Sequence, residues 1–200
     1  MNNILITAPT SDPVTPAEVK VQARIDTTEE DALIDGFIKS AVQRLEGPEC
    51  WIQLITAVYE LRIDDFPSSG EVIVIPKPPL TTIDSIIYTD SSGVEQTLAT
   101  SVYTVNAKSI HEPDNAEVYL SFNQSWPSTR SIRDAVKVRY SCGFGDPEDV
   151  PSALKNWIMA AVAAMYKNRE EMIAQPGMSL VLSLDFIDGL LDGYKTREFF

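Results

Sequence analysis

Apolar residues recur at two different periods along this chain, and the period changes twice. Leu33, Ile34, Phe37, Ile38, Ala41, Val42 and Leu45 fall at spacings of one, three and four, which draws one wide apolar stripe along a helix of about five turns. Its start is the acidic run Thr27-Thr28-Glu29-Glu30-Asp31, suited to the positive end of a helix dipole, and Gly47-Pro48 stops it. A shorter helix precedes it. Thr15 can cap, Pro16 fits the first helical position and Glu18 completes a capping box, so this helix runs to about Asp26. Residues 1–14 are polar and aperiodic, with Pro9 and Pro13, and read as an extended arm.

From Trp51 the period becomes two. Ile55, Ala57, Tyr59, Leu61 and Ile63 alternate with Thr56, Glu60 and Arg62, the pattern of a half-buried strand. Val72–Ile75 is a short strand ended by Pro76-Lys77-Pro78-Pro79. Ile83–Thr89 and Val94–Leu98 flank Asp90-Ser91-Ser92-Gly93, a hairpin turn. Further strands are predicted at Val102–Val105, Glu117–Phe122 and Ala135–Ser141. Near Val150 the helical period returns, with Leu154, Trp157, Ile158, Ala161, Val162 and Met165 on one stripe of an alanine-rich helix that runs to about Glu171. Gln175-Pro176-Gly177 breaks it.

The predicted fold is therefore α+β: a helical subdomain formed by the N- and C-terminal helices, with an antiparallel β subdomain inserted between them. The segments are 1–50 (arm and helices), 51–148 (inserted β subdomain) and 149–200 (long helix and C-terminal segment). The last stretch is amphipathic, carrying Leu184, Phe186, Ile187, Leu190, Leu191 and Tyr194, then ending in Phe199-Phe200. Gly189 and Gly193 weaken it as an independent helix, so it reads as a segment that folds against a partner. Arg169, in the basic end of the long helix, is a candidate contact for an acidic neighbour.

Composition narrows the function. Sixteen Lys and Arg stand against 29 Asp and Glu, a formal net charge of −13, which repels DNA phosphates instead of gathering counterion-release affinity. No apolar run reaches the roughly 20 residues of a membrane span. The N-terminus lacks the basic and apolar regions of a secretory signal, so synthesis and residence in a cytoplasm are expected. Two distant cysteines, Cys50 and Cys142, are expected to be reduced there.

Candidate chemistry is sparse. His111 is the single histidine and sits in the loop Ile110-His111-Glu112-Pro113-Asp114, without a nucleophile elbow elsewhere. Gly143-Phe144-Gly145-Asp146 lacks the third glycine and the lysine of a phosphate loop and reads as a turn. The acidic clusters Glu29–Asp31 and Asp146–Asp149 do not match calcium-loop spacing and read as helix starts. No catalytic residue, cofactor or metal ligand is predicted.

The order of short motifs resembles the phage head-tail connector (adaptor) family. These are Thr15–Lys20, Glu29–Ile34, Tyr59–Pro67, Pro76-Lys77-Pro78-Pro79-Leu80, Trp126-Pro127, Val136–Gly145, the Val150-Pro151 start of the long helix and its Tyr166–Glu170 end. No single motif is specific; their sequence over most of the chain carries the resemblance. The pattern departs at Ser109–Asn115 and at Phe199-Phe200.

The resemblance implies a structural virion protein of the particle neck, made in the host bacterial cytoplasm. It would form a homo-oligomeric ring, commonly a dodecamer, between the portal protein and a stopper or tail-completion protein. DNA would pass through without tight binding, along an acidic wall for which Asp90, Glu112 and Asp114 are candidates. The alternatives are another head-completion protein, a stopper or tail terminator, or a small-ligand-binding α+β module.

Overall fold

The two hydrophobic periods build two cores. Residues 2–68, 70–108, 115–168 and 185–195 are described in the computed structural model of the chain. The helical core gathers Val19, Ile34, Ile38, Ala41, Leu45, Leu154, Trp157, Ile158 and Val162 from three helices: α1 (Pro16–Ala23), α2 (Asp31–Arg44) and α3 (Ser152–Lys167). The second core fills the space between two antiparallel sheets. The fold is thus α+β, with N- and C-terminal helices flanking a central antiparallel β subdomain.

Local chemistry explains the helix ends. Thr15 Oγ1 accepts from the Glu18 amide at 3.3 Å, while Glu18 Oε2 accepts from the Thr15 amide at 2.7 Å, completing the capping box. Arg24 closes α1 in the left-handed conformation. After Arg44 the chain makes a wide turn, Leu45–Glu49, through the non-helical Gly47. The acidic cluster before α2 is held by its neighbours: Lys20 donates to Asp31 at 2.7 Å and the Tyr166 hydroxyl donates to Glu30.

The strands are β1 (Asn2–Thr7), β2 (Ala57–Ile63), β3 (Ile73–Ile75), β4 (Leu80–Thr89), β5 (Glu95–Thr97), β6 (Tyr103–Asn106), β7 (Ala116–Leu120) and β8 (Val136–Cys142). The larger sheet has the order β1-β2-β8-β4-β5 and the smaller one β3-β7-β6. Leu61, Val138 and Ile86 share a row across the larger sheet and meet Ile73, Ile75 and Val118 of the smaller. The other face of the larger sheet is charged. There Glu60 pairs with Arg62 at 2.7 Å and Arg139 at 3.2 Å; burial works against its ionisation, but the two guanidinium groups outweigh it and hold the carboxyl below the usual range.

Two local expectations are corrected. The N-terminal arm is a strand, not a free extension: β1 pairs antiparallel with β2 from Asn2↔Arg62 to Thr7↔Val58, with a bulge at Ile6, and Tyr140 donates its hydroxyl proton to Asn3 Oδ1 at 3.1 Å. The acidic residues before α3 do not cap it. Asp149 Oδ2 accepts from the Asp146 amide at 3.1 Å and so closes the Gly145 turn, while the N-cap position is Pro151.

Candidate assembly surfaces and the joint between subdomains

The C-terminal segment is seated by one buried indole. Trp157 lies at the centre of α3 with no exposed surface, and its Nε1–H donates to Asp188 Oδ1 at 2.9 Å. Asp188 ends the short helix α4 (Asp185–Asp188), and a single tight turn, Gly189–Leu191, follows. Leu191 is fully buried in the helical core, Ile187 packs against that core, and Tyr194 meets Phe144 edge-on at 6.4 Å. Leu190 points outward, 41% exposed.

Of the candidate interface residues, the structure therefore brings Ile187, Leu191 and Tyr194 onto the chain's own helices and leaves Leu190 on the surface. Arg169, Leu184, Phe199 and Phe200 lie outside the described residues, as does the side chain of Phe186. The sequence alone makes this segment look removable; the burial of Leu191 makes Asp185–Tyr194 part of the fold.

A polar joint that the sequence did not reveal ties the two subdomains together. Glu46, on the turn after α2, accepts from Gln53 Nε2 at 2.7 Å and from the Leu54 amide at 3.0 Å. Gln53 Oε1 in turn accepts from the Tyr59 hydroxyl at 2.8 Å, and its backbone N–H donates to Pro78 O at 2.9 Å. Lys77 donates to the Glu46 backbone carbonyl and lies 4.3 Å from the Trp51 ring centroid. Trp51 and Lys77 both hold left-handed backbone conformations, at φ 57° and 62°. The Pro76–Leu80 motif is thus the strap by which the β subdomain grips the helices.

Burial raises the Glu46 carboxyl above its ordinary range and lowers the Lys77 ammonium below its own. Glu46→Gln retains an acceptor for both donors, so its stability should stay within about 1 kcal/mol of wild type. Glu46→Ala leaves the Leu54 amide without its acceptor and Gln53 Nε2 with its bond to Ile55 O alone, and should cost about 1–3 kcal/mol in urea unfolding. Equal losses for the two variants would show that the joint does not depend on the acceptor.

Reactive chemistry is weak among the described residues. Burial pushes the Cys50 thiol up to about 11 and the Cys142 thiol to about 12, so both stay protonated at neutral pH and are poor nucleophiles. No group of three or more His, Cys, Asp or Glu among the described residues could hold a metal ion. No helix among them is long and apolar enough to cross a membrane. The groove between α2 and α3, lined by Ser40, Ala41, Arg44, Trp157, Ala161 and Met165, measures about 60 Å³, below the 300 Å³ or so of a ligand pocket, and a wider depression of about 450 Å³ between the end of α1 and the end of α3 is lined by Arg24, Asp26, Thr27, Tyr166 and Lys167. His111, Glu112 and Asp114 lie outside the described residues.

Asp90 belongs to its hairpin turn. Its carboxylate accepts from the Ser92 hydroxyl and from the amides of Val94 at 3.0 Å and Ser92 at 2.9 Å, with Gln96 Nε2 at 3.0 Å. These bonds, the Ser92 hydroxyl first, lower its pKa to about 2, so it carries a full charge at neutral pH.

No protein-family model matches this chain, and no curated protein is similar to it in sequence. Solved structures are similar in fold. A chain in the neck of an empty gene transfer agent (GTA) particle, computed with C6 symmetry, superposes with a TM-score of 0.77 at 18% identity, covering 100% of this chain and 98% of that one. A chain from the virion of a native GTA particle gives 0.75 at 18% identity, and one from the neck of a native GTA particle computed with C12 symmetry gives 0.72 at 17%, each with the same coverage. Helices, inserted sheets and C-terminal segment together thus form a fold shared, end to end, with chains of a gene transfer agent neck.

Proposed function

We propose that this chain is a structural subunit of the neck of a tailed-phage-like particle: a head-tail connector that assembles as a ring, carries out no chemistry of its own and needs no cofactor. The observation that carries this reading is the likeness over the whole chain to chains of GTA necks, which include the helices, the inserted β subdomain and the C-terminal segment alike. The order of connector-like motifs supports it independently. Those necks were computed with C6 and C12 symmetry, which favours a ring of repeated copies, a dodecamer in this reading.

The ring would lie between the portal protein and a stopper or tail-completion protein and would surround the DNA. With 29 acidic against 16 basic residues, the chain offers few cations to grip passing phosphates. An acidic wall centres a duplex and removes deep binding minima; at physiological salt only charges within about 8 Å act on it. Asp90, ionised in its turn, remains a candidate for that wall, with Glu112 and Asp114.

The C-terminal segment is the proposed contact with the portal. Its docking face comprises Leu190 and the residues beyond Lys195, because Leu191 is occupied in the chain's own core. Ending the chain after Lys195 should abolish its joining to purified portal-bearing heads, read by co-sedimentation. Wild-type levels of joining by that truncation would remove the segment from the interface.

A further inference from the structure

The first strand of the chain is attached to its sheet without being buried in it. β1 lies at the edge of the larger sheet and is hydrogen-bonded to β2 alone, from Asn2↔Arg62 to Thr7↔Val58. None of its six residues is buried, and Leu5 and Ile6 are 46% and 43% exposed. Its neighbours β2 and β8, by contrast, send Leu61, Val136, Val138 and Tyr140 into the core between the sheets. The backbone ladder and the bond from Tyr140 to Asn3 Oδ1 therefore hold β1 in place. Such a strand opens locally at low cost, because leaving its place breaks no core packing.

The segment behind it has the build of a hinge. Ala8–Asp12 joins β1 to Pro13 and Val14, which are buried, Val14 in the helical core. Ala8–Val14 makes no hydrogen bond among the described residues. Pro9 and Pro13 favour an extended course. From Thr7 to Pro13 such a chain spans up to about 20 Å. Opening the arm uncovers the backbone edge of β2 and leaves the buried Tyr140 hydroxyl without Asn3, so the vacated edge calls for a replacement strand.

We infer that in the assembled protein the arms are exchanged: β1 of one copy lies on β2 of the next. The fold itself specifies the occupant. The strand seated on this edge is Asn2–Thr7, and a second copy carries the same strand, with the same register and the same asparagine for Tyr140. Exchange replaces an intrachain ladder with an identical interchain one and loses no bond. The arm bears no charged side chain, so it crosses between chains of net charge −13 without adding like charge to the contact. Each copy gives one arm and receives one, a head-to-tail relation that closes into a ring when the rotation allows. The inference rests on the ring reading of the neck subunit and names what links its copies.

The test is a cysteine pair across the two strands, Asn2→Cys with Arg62→Cys, in the full-length chain loaded on purified portal-bearing heads and then oxidised. Cys50 and Cys142 are buried and stay out of the reaction. Asn2 is exposed, and Glu60 keeps Arg139 when Arg62 is replaced, so the reduced variant should unfold as wild type does. Exchanged arms should give a ladder of covalent dimers and higher multimers on non-reducing gels, with interchain links in more than half of the cross-linked protein. The single variants Asn2→Cys and Arg62→Cys, loaded together as an equal mixture, should give a covalent dimer with one chain of each, which an arm on its own sheet cannot form. Intrachain links alone in the double variant, with no mixed dimer from the single variants, overturn the exchange and leave the ring reading in place. If the protein joins no heads, the neck reading falls, and the same pair oxidised in solution at the highest soluble concentration decides the exchange: covalent multimers uphold it, and monomers alone reject it.

Discussion

Trp157→Ala is expected to cost about 3–5 kcal/mol of folding stability, the largest effect of any single side chain here. The indole fills the centre of the helical core between α2 and α3, has no exposed surface, and lies beneath the Arg44 guanidinium at 5.8 Å. Truncation removes that volume and releases Asp188 together with the C-terminal turn. Trp157→Phe separates the two effects: it keeps most of the packing and loses only the bond to Asp188, so a loss of about 1–2 kcal/mol is expected. In both variants, amide exchange over Asp185–Lys195 should accelerate while the β-subdomain amides stay protected. An unchanged Asp185–Lys195 segment in Trp157→Ala would mean that the indole does not seat it.

Gly143→Ala should be nearly as damaging, at about 2–4 kcal/mol. Gly143 ends β8 at φ 121°, where the chain leaves the sheet for α3. A β-carbon there would lie 2.8 Å from the backbone carbonyl of Ile55 and 2.9 Å from the Thr56 α-carbon, and neither can yield as a flexible side chain would. The strand end is further pinned by its amide, which donates to Pro79 O at 2.9 Å. Gly36→Ala is the internal control. A β-carbon at Gly36 meets nothing within 4 Å on the exposed side of α2, so this variant should gain up to about 1 kcal/mol. Equal stability of the two variants would contradict the close approach at Gly143.

The stripes of α2 and α3 and the alternation of β2 and β8 were legible in the sequence because one face of each is largely buried. The Asp90–Gly93 turn and the Thr15–Glu18 box were legible because their chemistry is local. The β1 strand was not, since its six residues lack alternation and its pairing partners, from Asn2↔Arg62 to Thr7↔Val58, lie far along the chain. The joint was hidden for a related reason. Glu46 and Lys77 look like ordinary surface charges, and only the meeting of the turn after α2 with the Pro76–Leu80 strap buries them. The C-terminal segment misled because Gly189 and Gly193 lower its helical signal, while its tight turn still delivers Leu191 to the core.

The motifs that carry the resemblance have physical roles in the fold. Pro76–Leu80 grips the helical subdomain, and Val136–Gly145 supplies the central strand β8 and the close turn at Gly143. These segments set how the β subdomain sits on the helices.

The most direct test of the neck-subunit account is a cryo-EM map of the neck of the particle that carries this chain. The account predicts density for this fold as a closed ring of identical copies beneath the portal, around the DNA, with the C-terminal segments directed toward the portal. A neck in which this fold is absent, or present outside any ring, would contradict it.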